Sequence, residues 1–157
     1  MDVGIIINPV AGRHHPRGAY SRTELANKVL GVEGLDGQVR LTDGRGSAYA
    51  IAAEMIDSGA RTVVVWGGDG TINEVANAIV DTGTTLGVVP GGSGNGFARG
   101  LRLENQPERA LKTALTGPTR FIDAGEIDNR LFVNVAGVGF DAHLAGVFNH
   151  LRVRGVW

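Results

Sequence analysis

Short apolar runs and stretches of helical periodicity alternate along the 157 residues. Residues 3–7 (Val-Gly-Ile-Ile-Ile), 62–66 (Thr-Val-Val-Val-Trp) and 86–90 (Leu-Gly-Val-Val-Pro) are continuous and rich in β-branched side chains, the composition of strands covered on both faces. Residues 38–41 predict a shorter strand. Between the runs, apolar residues recur three and four apart, as on one face of a helix. They predict helices over 23–30 (Leu25, Ala26, Val29 and Leu30 inward), over 47–56 (Ala48, Ile51, Ala52, Met55, Ile56) and just past residue 70 (Ile72, Val75, Ala76, Ile79, Val80). Another is predicted over 107–115, with Ala110, Leu111, Ala114 and Leu115 inward and Gly117-Pro118 as its stop. Residues 121–127 and 131–135 predict two strands joined in a hairpin at Asp128-Asn129, and the last helix puts Leu144, Val147, Phe148 and Leu151 on one face. Strands alternating with helices predict an α/β domain with a mainly parallel sheet.

Composition narrows the class. A chain that is 43% hydrophobic and 20% charged is globular, and this length suits one domain with a core of its own. The net charge of −1 gives no basic excess for nucleic acid and no polybasic run for anionic lipid. Without cysteine there is no disulfide framework and no thiolate metal site. No apolar segment is long enough to span a bilayer, and the chain opens directly on a strand without a signal-peptide pattern, so a cytoplasmic location is expected.

Glycine is the outlier at 25 residues, and the glycines gather where apolar runs end. Ligands of parallel sheets collect at those carboxyl ends. Gly67-Gly68-Asp69-Gly70-Thr71 joins a strand to a helix start, where free N–H groups and the helix dipole suit phosphate. Asp69 is an unusual choice for a plain phosphate cradle. It suits a group that handles a metal-linked water or an acceptor proton, or else it caps the helix in a tight turn. Gly91-Gly92-Ser93-Gly94-Asn95-Gly96 forms another glycine loop, and Asn8-Pro9-Val10-Ala11-Gly12 a further turn. Together they fit a nucleoside triphosphate bound largely by backbone amides. Arg13, His14, His15 and Arg17 read as a solvated basic loop, with contact to phosphate as the alternative, and Thr42 as the start of a turn or a hydroxyl offered to phosphate.

Familiar nucleotide motifs do not account for these loops. The two lysines, Lys28 and Lys112, follow no glycine loop, so there is no Walker A motif. The strand lysine and D-F-G of protein kinases are missing. Gly137-x-Gly139-x-x-Ala142 matches the dinucleotide fingerprint only weakly.

The motifs together resemble the catalytic domain of the diacylglycerol kinase and sphingosine kinase lipid-kinase family, and more distantly NAD kinases and phosphofructokinases. Asn8-Pro9-x-x-Gly12 looks like the family's first nucleotide loop, and Gly67-Gly68-Asp69-Gly70-Thr71-x-Asn73-Glu74 like its signature. Val89-Pro90-x-Gly92-Ser93-Gly94-Asn95 looks like the second nucleotide loop, and Asp123 with Asn134-x-x-Gly137-x-Gly139-Phe140-Asp141-Ala142 closes the pattern. Where many bacterial members have Asn-Asp-Phe, with the Asp in a magnesium–water network, this chain has Asn95-Gly96-Phe97.

The resemblance implies a three-layer α/β/α domain over residues 1–157, with the family's C-terminal β-rich domain absent. The apolar ending at Trp157 fits a chain that needs a further surface. It implies ATP and Mg2+ as cofactors and a lipid at a membrane surface as substrate, with peripheral contact to that membrane and homo-oligomerisation left open. ATP-binding residues carried over by matching position are Asn8, Pro9, Gly12, Thr42, Gly67, Gly68, Asp69, Gly70, Thr71, Asn73, Glu74, Gly92, Ser93, Gly94 and Asn95. Asp69 is the expected catalytic residue; Asp141 matches a position that in sphingosine kinases recognises the lipid head, with capping of the last helix as the alternative. The rival expectations are a nucleotide-binding module inactive without a second domain or partner and, further off, an NAD kinase.

Overall fold

The computed structural model describes residues 1–12, 18–137 and 139–150. Arg13, His14, His15, Arg17, Val138, Leu151 and Trp157 lie outside them. The elements run β1 (Val3–Ile7), α1 (Gly18–Glu33), β2 (Gly37–Leu41), α2 (Ser47–Asp57), β3 (Thr62–Gly67), α3 (Asp69–Ile79) and β4 (Thr85–Pro90). They continue as α4 (Gly96–Gly100), α5 (Pro107–Thr116), β5 (Gly125–Ile127), β6 (Arg130–Phe132) and α6 (Phe140–His150).

β1 to β4 form a four-stranded sheet in the order β2-β1-β3-β4, and every pairing is parallel. Side chains alternate across each strand, and both faces are covered. On one face Ile6, Val63, Val65 and Val88 pack with Ala48, Ile51 and Met55 of α2 and Ile72 and Val75 of α3. On the other, Val3, Ile5, Ile7, Val64, Trp66 and Val89 meet Ala26, Val29 and Leu30 of α1 and Ala110 and Leu111 of α5. The domain is therefore three layers, α/β/α. β1 and β3 are continuously apolar because neither of their faces is left for water, whereas edge strand β2 keeps Gln38 and Leu41 exposed.

The close seat of α5 on β4 depends on Gly87. A Cβ there would stand 2.8 Å from both the Ala114 carbonyl oxygen and Val64 Cγ2.

Besides α4, which the sequence did not predict, two features differ from the sequence expectation. α1 starts earlier than residue 23 because its first turn carries exposed Tyr20 and Ser21, which show no apolar stripe. The hairpin is much shorter than predicted: β5 and β6 pair over three rungs, from Gly125–Phe132 to Ile127–Arg130. Its turn falls at Asp128 and Asn129 as expected, both in the left-handed region at φ 52° and 57°. The apolar residues flanking it meet no partner strand among the described residues, and Phe121 and Val135 stay exposed. On α6, Phe140, Leu144 and Val147 are likewise exposed. Among the described residues no helix is long and apolar enough to cross a membrane.

Gly87→Val is expected to lower unfolding stability by about 1–3 kcal/mol by forcing α5 off the sheet. Urea denaturation compared with the unsubstituted chain measures it.

Candidate active site

The strand ladders run on into the loops at one end of the sheet. The Asn8 N–H donates to the Trp66 carbonyl (3.0 Å), the Thr42 N–H to the Ile7 carbonyl (3.0 Å) and the Gly91 N–H to the Gly67 carbonyl (2.9 Å). Residues 8–12, 67–71 and 91–96 are thereby brought side by side, with Thr42 closing β2 at the same end. A Cβ at Gly92 would lie 2.6 Å from Gly68 Cα, and one at Gly12 (φ +76°) 2.5 Å from the Gly91 carbonyl oxygen. Backbone meets backbone here, which only glycine permits.

Side chains fasten the three loops. Asn8 Nδ2 donates to Thr71 Oγ1 at 2.8 Å, tying the first loop to α3. Asp69, the first residue of α3, accepts the Gly96 N–H on Oδ2 and the Phe97 N–H on Oδ1, each at 2.9 Å. Its carboxylate thus caps the start of α4 rather than its own helix. Asn95, at φ 51°, accepts the Gly92 N–H (2.8 Å) and returns a bond to the Gly92 carbonyl (2.9 Å). Ser93 and Gly94 stand exposed at the tip of that closed loop. Gly70 is exposed too, with open space where a Cβ would go.

Two expected site residues, Glu74 and Asn73, bond to elements beyond the three loops. Glu74 reaches α2, accepting the Gly46 N–H at 3.0 Å and the Ala48 N–H at 3.3 Å. Gly46 has no side chain to cap α2, and Glu74 does so from across the layer. Asn73 donates to the Leu131 carbonyl of β6 at 3.3 Å, as does Asn77. Asp141 is exposed in the first turn of α6. Asn134 stands beside the third loop, since a Cβ at Gly96 would come within 2.7 Å of its Nδ2.

One contributor escaped the sequence reading. Arg22 on α1 donates to the Asn8 carbonyl (3.0 Å) and the Ala11 carbonyl (3.1 Å), and its guanidinium lies 5.6 Å from the Trp66 ring centroid. Burial lowers its pKa. An arginine on a polar helix turn carries no sequence signal of this kind.

For a metal, no group of three or more His, Asp or Glu side chains converges among the described residues. The Asp69 carboxylate keeps unused lone pairs beside its two N–H bonds. This suits Mg2+ carried largely by phosphate oxygens and water rather than by a protein cage.

The diacylglycerol kinase catalytic domain is the family model that matches, over residues 2–127. The chain belongs to this family. A probable YegS-like lipid kinase of Chromohalobacter salexigens is 38% identical over 110 residues, covering 68% of this chain and 35% of that protein. A probable YegS-like lipid kinase of Pseudomonas aeruginosa is 36% identical over 132 residues, covering 83% and 41%. The crystal structure of a diacylglycerol kinase from Bacillus anthracis superposes at a TM-score of 0.72 with 25% identity, over 83% of this chain and 45% of that one. The chain thus spans less than half the length of these diacylglycerol-kinase-family relatives.

Glu74→Ala is expected to cost about 1 kcal/mol by uncapping α2, with Glu74→Gln recovering part of it. Chemical denaturation of both variants reads the difference.

Proposed function

We propose that the chain is the catalytic, nucleotide-binding domain of an ATP-dependent lipid kinase, transferring the γ-phosphoryl of ATP to the hydroxyl of a diacylglycerol or sphingoid-type lipid. The observation that carries this reading is the convergence of two glycine loops and the Asn8–Gly12 turn at one sheet end, with the Asp69 carboxylate between two of them. Membership of a family whose relatives are named lipid kinases supports the substrate class.

The chemistry asks little covalent work of the protein. Backbone N–H groups at Gly68, Gly70, Ser93 and Gly94 would cradle the phosphates, with Gly12, Gly67, Gly92 and Asn95 holding the loops in shape. Pro9 stiffens the first loop and Thr42 stands at its flank. Mg2+ bound with the nucleotide would neutralise charge on the β- and γ-phosphates. The acceptor oxygen attacks the γ-phosphorus, the bond to the β–γ bridging oxygen breaks, and ADP leaves. The hydroxyl proton passes to Asp69 or to water. A carboxylate is a weak base, so Asp69 acts mainly by orienting the acceptor. Asp141 would meet the lipid head. A cytoplasmic protein that touches the membrane at its surface accommodates such a substrate.

A second reading is favoured by one observation. Phe121, Val135, Phe140 and Leu144 expose apolar surface over the last third of the described chain. A nucleotide-binding unit whose lipid site is completed by a further domain or partner would look the same.

Asp69→Asn should cut lipid phosphorylation on the order of 100-fold or more, while ATP affinity falls less than about tenfold. Labelled ATP with a lipid panel in mixed micelles measures the first, and calorimetry the second. Equal losses in both, with loop 91–97 keeping its parental amide hydrogen exchange, would remove Asp69 from the chemical step.

A further inference from the structure

The first loop is held by bonds of its own and by bonds from outside it. Its internal bonds are the Ala11 N–H to the Asn8 carbonyl (3.3 Å) and the Val10 N–H to Asn8 Oδ1 (3.0 Å). Further fastening comes from α1, through Arg22. Nη1 donates to the Asn8 carbonyl and Nη2 to the Ala11 carbonyl, so one planar group spans both ends of the turn. The same group lies over Trp66, whose own carbonyl receives the Asn8 N–H. Loop, sheet and helix are joined at one side chain.

Only a guanidinium meets these demands together. It offers a rigid fork of donors and a flat face for an aromatic ring, whereas a lysine ammonium is a single point. The group is half-buried, and among the described residues no carboxylate pairs with it. Carbonyl dipoles and the ring face offset its charge. That leaves a positive charge directly behind a loop read as facing phosphate.

We propose that Arg22 is a positioning residue for nucleotide binding: it draws the Asn8 and Ala11 carbonyls toward α1, sets the first loop for the phosphates, and adds a positive charge behind them. The proposal rests on the nucleotide reading of the crevice. Arg22 touches no reacting atom, so it should act on affinity for ATP and not on the transfer step.

The test compares the 157-residue chain with Arg22→Met and Arg22→Lys. ATP is titrated by calorimetry, amide hydrogen exchange is followed at residues 10–12, and urea midpoints report folding. Arg22→Met should bind ATP more weakly on the order of tenfold, with faster exchange in the loop. Arg22→Lys should fall between it and the parent, since it keeps the charge and loses the fork. A folded Arg22→Met with parental affinity or parental exchange overturns the proposal, as does an Arg22→Lys equal to the parent in both. If Arg22→Met does not fold, Arg22→Lys decides by the same two readouts. A parent chain that binds no ATP overturns the nucleotide reading and this proposal with it. A loss confined to the variants bears on Arg22 alone.

Discussion

Two backbone N–H groups from the start of α4 converge on one carboxylate at the start of α3, and the crevice depends on that meeting. Gly96 and Phe97 would otherwise be unsatisfied donors at a helix start, and Asp69 would be a negative charge with little to hold it. Their pairing locks the third loop onto the second. It also holds Asp69 oriented while leaving it lone pairs for other partners. Gly68 and Gly92 can then approach at a distance that no Cβ would tolerate.

Much of the fold was legible because parallel strands announce themselves. The runs at Val3–Ile7 and Thr62–Gly67 have no polar face to confuse the reading, and glycine marks their ends. The inward residues of α2 and α5 followed from spacing alone. The hairpin was overextended because β-branched and aromatic residues around 121–124 and 133–135 have strand propensity, and propensity needs a partner strand to act. α4 was missed because Gly96–Gly100 is a single short turn-and-a-half, too brief to show a period.

The site was legible as composition and only partly as geometry. Glycines at strand ends located the loops, and Asn8 and Thr71 were both named, but nothing in the sequence says that they bond to each other. Asn73 and Glu74 sit inside the signature, yet one side chain goes to the hairpin and the other to α2. Their place in the motif is explained by neighbours distant in sequence. Arg22 was silent for the same reason: its partners are carbonyl groups, which every residue has.

The first turns of α3 hold Asp69, Thr71, Asn73 and Glu74, and each is bonded to a different part of the chain. The separations are 28 residues to α4, 63 to the first loop, 58 to the hairpin and 28 to the start of α2. Every one of these is a long loop to close, and closure entropy must be met before any bond forms. α3 can coil on its own, but its amino end has nothing to grip until β1, β4 and the hairpin have docked. The full set of bonds at the crevice therefore exists only when all of these elements are in place. A partly folded chain would have helices and much of a sheet and still no place for a ligand, so ligand binding reports the completed fold rather than any fragment of it.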